Sequence, residues 1–291
     1  MTRTTGSAGT PGRAGAATTP EGGDTALGVG ALLRGWRERR QLSQLQLALQ
    51  AESSARHISF VETGRSRPSQ EMILRLAEHL DVPVRERNAL LLAAGYAPKY
   101  GETPLDDPAM ESLRSGVERL LLAHDPYPAI VVDGTYRVLA TNRSIAVLLA
   151  GVAPHLLEQP LNAMRITLHP EGLAPRIVNL RQWRRHLLEQ MERQIALVRS
   201  EPLRALYEEV SAYPLPADPV MEDVSEDATE LFPFALPMRV AHEGRVLSFL
   251  STIATFNTPL DVTVSELAME TFLPADPETV AFLHATTAAT G

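Results

Sequence analysis

Cysteine is absent from the 291 residues, which excludes disulfides, thiolate zinc sites, iron-sulfur ligation and a Cys nucleophile. Nothing then points to an oxidising compartment, so the cytoplasm is the expected location. Long apolar runs are absent too. No stretch approaches the roughly eighteen consecutive apolar residues that a membrane span needs, and a membrane is not an expected partner. Residues 1–25 lack the apolar core of a signal peptide, and their Thr/Gly/Ala/Pro composition predicts a flexible tail. Chemistry-bearing motifs are equally sparse. Gly28 and Gly30 lack the third glycine and the preceding strand of a dinucleotide loop, and neither a Gly-Lys-Ser/Thr phosphate loop nor a G-x-S-x-G nucleophile elbow occurs. The eight His residues stand singly, without the i, i+4 spacing that puts two imidazoles on one metal. The acidic run Glu222, Asp223, Glu226, Asp227 and Glu230 lacks the glycine and spacing of an EF-hand loop and reads as a solvated loop. No cofactor, no metal and no catalytic residue is expected, and an enzyme is not the expected class.

Charge and apolar patterning are what the chain does have. Hydrophobic residues make up 44% of it, ample for packed cores, and the length suits two domains. From Ala26 to Tyr96 there are ten Arg against seven acids, net +3, whereas Tyr100 to Gly291 carries fourteen Arg against 26 acids, net -12; Lys99 and a neutral tail complete the total of -8. That asymmetry suits a basic segment that meets a polyanion, joined to an acidic domain with another task.

In the basic segment, Val29, Leu32, Leu33 and Trp36 fall at i, i+3, i+4 and i+7 and predict a first helix ending near Gln41. Ser43 and Gln46 have the spacing of a capping box and open a second helix that runs to about Ala51. Ser54 caps a third, Ala55 to Thr63, which Gly64 stops; Ile58, Val61, Leu47 and Ala48 are expected core. Pro68 and Ser69 open a fourth helix, and a fifth spans about Arg85 to Ala94 with Gly95 as terminator. Two short helices joined by a tight turn and covered by others form a helix-turn-helix, whose second helix enters a DNA major groove.

The run LSQLQLALQAESSARHISFVETGRSRPSQEMILRLAEHLDVP, residues 42 to 83, resembles the DNA-binding domain of the phage-repressor-like (Cro/xenobiotic-response-element) regulators. Such domains usually have Gly in the turn where this chain has Glu52, so a strained turn or another turn type is expected there. The resemblance places Gln44 at the position that donates to a backbone phosphate. Ser54, Ala55, Arg56, His57 and Ser59 fall on or beside the outer face of helix three, where Arg56 would pair with guanine and Ala55 touch a thymine methyl, and Arg65 and Arg67 follow close to the DNA backbone. Binding as a homodimer on an inverted repeat is expected, because one short helix touches few base pairs.

Ala97 to Pro108 reads as a linker, and Met110 to Ala123 has helical spacing. Tyr127 to Asp133 and Tyr136 to Thr141 are β-rich runs about an Asp133-Gly134 hairpin signal; Asn142 is expected to cap a helix through Leu149, and Pro175 to open a long helix reaching Val198. Leu203 to Val210 forms another helix, followed by strand signals at Met238 to Ala241, Val246 to Phe256 and Glu266 to Phe272. This order predicts an α+β domain of the PAS type, a five-stranded antiparallel sheet with helices on one face. The strings YPAIVVDGTYRVLATN, LHPEGLAPRIVNL and LSFLSTIATFNTPLDVTVSELAMETFLPAD resemble the MmyB-like family of actinobacterial regulators over about residues 27 to 283. The resemblance implies a repressor-type DNA-binding domain joined to a PAS-like domain that binds a small, apolar ligand such as a fatty acid.

The expected layout is thus a tail (1–25), an all-α five-helix repressor-like helix-turn-helix domain (26–96), a linker (97–109), an α+β PAS-like ligand-binding domain (110–283) and a C-terminal tail (284–291). A cavity between sheet and helices needs apolar walls and a few polar anchors. The candidate anchors are Asn142, Arg165, His169, Arg176, Asn179 and Thr255, and the candidate walls are Trp183, Phe249 and Phe256. The expected function is a sequence-specific DNA-binding regulator that senses this ligand; the open alternative is a regulator whose second domain serves only dimerisation or contact with another protein.

Overall fold

A computed structural model describes residues 28–198, 200–215 and 235–290. The N-terminal tail and the acidic run of residues 222–230 lie outside these, whereas residues 284–290, expected as a C-terminal tail, continue the last helix, Pro277–Thr290. Five helices come first: α1 (Val29–Arg39), α2 (Gln44–Gln50), α3 (Ala55–Glu62), α4 (Gln70–His79) and α5 (Val84–Ala93). Their apolar stripes meet in one core around Leu33, Trp36, Leu47, Ile58, Ile73, Leu76 and Leu91, all at most 3% exposed. The capping box forms as spaced: Ser43 Oγ accepts from the Gln46 amide at 3.1 Å while Gln46 Oε1 accepts from the Ser43 amide at 2.8 Å. Gly30 serves close approach rather than a phosphate. A Cβ there would lie 2.3 Å from the Val61 carbonyl oxygen, so α1 and α3 touch backbone to backbone.

The second unit starts with α6 (Glu111–Ala123), followed by β1 (Ala129–Val132) and β2 (Val138–Thr141). Helices α7 (Ala146–Leu149), α8 (Ala163–Leu168), α9 (Leu180–Val198) and α10 (Glu201–Ser211) come next. Then follow β3 (Met238–His242), β4 (Arg245–Thr255), the short α11 (Val262–Glu266), β5 (Ala268–Pro274) and α12 (Pro277–Thr290). The five strands pair antiparallel in the order β2-β1-β5-β4-β3, the α+β PAS-type sheet. Glu243 and Gly244, with φ of 49° and 78°, close the β3-β4 hairpin with both turn residues left-handed, which matches the strand twist.

Several expectations need correction. The sheet is covered on both faces, not one: Ile130 and Val132 face the core built with α8, α9 and α10, whereas Ala129 and Val131 point the other way, against Leu121 of α6. The long helix begins at Leu180 rather than Pro175, which instead lies in a separate 3-10 turn, Ala174–Arg176. The last strand begins at Ala268 because Asp261 caps α11 and keeps Glu266 helical. Asn142 stands at an N-cap position, yet its side chain makes no cap bond. The segment expected as a linker is tied down at two places. Asn88 of α5 accepts the Lys99 and Tyr100 amides and donates to the Tyr100 carbonyl, and Asp261 accepts the Thr103 amide and hydroxyl.

Candidate functional site

The first candidate surface is the exposed side of α3. Ser54 Oγ accepts the His57 amide at 3.1 Å, which spends that hydroxyl on the helix start. The turn before it holds Glu52 at φ 50°, so the chain keeps the left-handed turn in which Gly is usual and accepts the strain of a Cβ there. Arg56 and Arg65 are exposed and lack a carboxylate partner among the described residues. Their guanidinium carbons lie 5.2 Å and 5.9 Å from the ring centroid of Phe60, so one aromatic ring orients both cations. Ala55, His57 and Ser59 are half-buried beside them.

Two expected phosphate contacts are already engaged inside the protein. Gln44 Nε2 donates to Glu62 Oε2 at 2.9 Å, and Glu62 also accepts from Arg37 Nε at 2.6 Å and Nη2 at 2.9 Å. The Glu62 side chain is only 3% exposed, so this carboxylate knots α1, α2 and α3 together, a role its position in the sequence did not reveal. Arg67 donates from Nε and Nη2 to the Ala94 carbonyl at 3.2 Å and 2.7 Å and stacks near Tyr96, and so clamps the end of α5.

The second candidate site is an apolar cavity of about 70 Å³ between the sheet and α7 to α9. Its walls include Ile130, Val138, Leu148, Met164, Leu187 and Phe272, and Thr141, Thr167, Trp183 and Glu270 also line it. Among the expected wall and anchor residues, Trp183 lines it. Phe249 is fully buried in the core behind it, Thr255 is exposed, and Phe256 is exposed beside Leu120 of α6 in a separate groove.

The other expected anchors are occupied within the protein, Asn142, Asn179 and Arg176 by backbone and Arg165 by a carboxylate. Asn142 accepts the Ala129 amide at 3.0 Å and donates to the Tyr127 carbonyl at 2.8 Å. Asn179 accepts the Arg239 amide and donates to the Pro237 carbonyl. Arg176 donates to the carbonyls of Val147, Leu148, Ala150 and Ala241 and contacts His242 Nδ1 at 3.2 Å. Arg165 pairs with Glu209, two bonds of 2.7 Å each. Buried loop backbone must find partners, and these side chains supply them. His169 is brought together with His155 and Glu171, potential ligand atoms all within 4.8 Å. Its Nδ1, however, accepts the Glu171 amide at 3.0 Å, which leaves the ring proton on Nε2 and no free nitrogen for a metal.

Glu270 is the residue that sequence reading missed. It shares the core-facing register of β5 with Ala268 and Phe272, opposite Ile130 of β1 and Ile253 of β4. Loss of water raises its pKa above the ordinary carboxylate range, opposed by a hydrogen bond from the Ser251 hydroxyl at 2.5 Å. A lone carboxyl between two apolar residues on the inward face of a strand is the signal that could have found it.

The chain matches the family model for the MmyB-like transcription regulator ligand binding domain over residues 113–285, and a helix-turn-helix domain model over residues 29–90. No curated protein matches it. A solved structure, the clp gene regulator ClgR from Corynebacterium glutamicum, is 22% identical over 34% of this chain and 90% of that one, with a TM-score of 0.21. With the ligand-binding model spanning more than half of its residues and a helix-turn-helix in front, the chain belongs to the MmyB-like DNA-binding transcription regulators.

Proposed function

We propose that this regulator reads duplex DNA through α3 and that an apolar small molecule in the cavity biases that reading. Arg56, Ala55 and Ser59 would face base edges, with Arg65 toward a phosphate, and two copies would bind an inverted repeat in the cytoplasm. A fatty acid is the ligand class that the family resemblance implies. The observation that carries the proposal is a short covalent link: β5 lines the cavity through Glu270 and Phe272, and Glu266, at the end of α11 just before it, is gripped by the DNA-binding unit. Arg85 of α5 donates from Nε to Glu266 Oε1 at 2.6 Å and from Nη2 to Oε2 at 3.0 Å, while Nη2 also reaches Glu102. A ligand shifts DNA affinity only if the competent and incompetent arrangements bind it differently, and a segment that runs from the cavity wall to the DNA-binding unit is a route for that difference. The test is footprinting on DNA upstream of the protein's own coding region, with delipidated protein against protein loaded with extracted lipids. Unchanged protection, together with no co-purifying small molecule, would favour a second domain used only for dimerisation.

A further inference from the structure

The backbone at a sheet edge can bond to another chain, and natural sheets protect their edges. One outer strand, β3, is closed off: the Arg239 amide bonds to Asn179 Oδ1, its carbonyl accepts the Val178 amide, and the Ala241 carbonyl accepts from Arg176. The other outer strand, β2, is four residues long, and its Val138 amide bonds to the Leu161 carbonyl. The second half of β4 differs. This strand runs eleven residues, yet β3 pairs only with residues 245–249, so beyond Phe249 its outer side has no partner strand among the described residues. In antiparallel pairing the backbone groups of successive residues turn to opposite sides. The Ser248 carbonyl accepts the Ala275 amide on the β5 side, which turns Leu250, Thr252 and Ala254 toward β5 as well. The amides and carbonyls of Ser251, Ile253 and Thr255 therefore point outward. The usual guards of such an edge are missing here: residues 250–260 hold no charged residue, and the first proline is Pro259. Ile253 is 52% exposed, and Phe256 with Leu120 of α6 adds apolar surface at the end of the strand.

An uncharged edge suits a partner like itself. The surrounding unit is acidic, with fourteen Arg against 26 acids from Tyr100 to Gly291, so two copies avoid like-charge repulsion only where they meet through a neutral surface. A basic peptide would find no carboxylate in this run to pair with. A second β4, laid antiparallel about a two-fold axis at Ile253, also serves all three outward residues. Ser251 then lies opposite Thr255, Ile253 opposite itself and Thr255 opposite Ser251, and each pair exchanges two backbone hydrogen bonds. We infer that β4 pairs edge to edge with β4 of a second copy of this chain through residues 251–255, joining two five-stranded sheets into one of ten strands. This rests on the proposal that two copies act together, and it assigns the surface they share.

The test follows full-length protein without DNA by sedimentation velocity over a range of concentrations, with hydrogen exchange read at single amides. The wild type should dimerise, and protection of the Ser251, Ile253 and Thr255 amides should rise with the dimer fraction. Ile253→Pro removes a donor from both strands of the central pair but none that β5 uses, and it should weaken the dimer by about tenfold or more. Thr255→Lys keeps the N–H and adds a charge to the edge, and it should weaken the dimer by about three- to tenfold. It also serves if the Pro variant fails to fold, which melting curves reveal. If both folded variants dimerise as tightly as the wild type, the assigned surface falls while the two-copy reading stands. If the three amides are protected where the protein is monomeric, the chain itself covers this edge and the inference falls. A wild type that stays monomeric without DNA overturns the inference as well; if it also occupies its DNA as one chain per site, the two-copy reading falls with it.

Discussion

Arg56, Arg65 and Arg67 look alike as three arginines in twelve residues, yet their neighbours divide them into two kinds. Phe60 holds the first two on the exposed side of α3, and the Ala94 carbonyl holds the third against α5. The division was not legible in the sequence, because Ala94 lies 27 residues from Arg67 and only folding brings its carbonyl there. Arg56→Ala should therefore cost roughly 1 to 3 kcal/mol on cognate DNA, with a smaller loss on random DNA and no change in melting temperature beyond scatter. Binding isotherms on both DNAs check this, and equal losses on the two would remove the base-reading role. Arg67→Ala should instead lower stability by about 1 to 2 kcal/mol, seen in a denaturant melt, since the carbonyl it serves loses its donors.

Helix ends carry the next lesson. Helices α1 to α5 finish the same way, with a left-handed residue followed by an amide that bonds back five residues: Leu42 to Arg37, Ser53 to Ala48, Arg65 to Phe60, Val82 to Ala77 and Tyr96 to Leu91. Only Gly64 and Gly95 announce this in the sequence; Gln41, Glu52 and Asp81 take the same conformation with a Cβ present. The starts were legible because Ser43, Ser54 and Ser69 act locally, while these non-glycine ends are held by tertiary packing and give no local signal. Glu52→Gly should stabilise the protein by roughly 0.5 to 1 kcal/mol by removing the left-handed strain. Its DNA affinity should also rise most at low salt, as a carboxylate leaves the neighbourhood of the phosphates. A denaturant midpoint that falls would refute the strain account.

In the second unit the strands and long helices followed period-2 and period-3.6 patterns, whereas polar anchors could not be told from polar staples by residue type. Arg176 and His242 make the point. Burial first, and Arg176 second, push the His242 pKa below its ordinary value of 6.5, so the imidazole is favoured in its neutral form. A group whose folded pKa is lowered contributes stability that is present above the unfolded value and lost as pH falls below it. Melts of the wild type should therefore lose stability as pH drops below about 6.5, and His242→Gln should flatten part of that slope. An identical slope in the variant would exclude His242 as a contributor.

At the scale of the whole molecule, the two units could be read separately from the sequence, but not their joint. The Arg85 and Glu266 pair joins residues 181 positions apart, and no spacing rule reaches that far. The pair is about one-third to one-half exposed, so it contributes little to stability, on the order of 1 kcal/mol or less. Its position matters more than its strength. Glu266 ends α11, its side chain lies against Gly134 in the β1-β2 turn, and β5 starts two residues later and lines the cavity from Glu270. Any ligand that resets β5 therefore moves a carboxylate that α5 holds directly. Arg85→Ala should leave the DNA affinity of delipidated protein nearly unchanged while reducing the ligand-induced shift, which is typically worth 1 to 3 kcal/mol in such couplings, by at least half. Glu266→Ala should do the same, whereas Glu102→Ala, which removes only the outer partner of Arg85, should preserve most of the shift. Operator titrations of each variant beside the wild type, with and without bound ligand, measure the four affinities of that variant's coupling cycle. If Arg85→Ala retains the full ligand effect, the signal does not pass through this pair and the tethered segment from Lys99 to Thr103 becomes the route to examine.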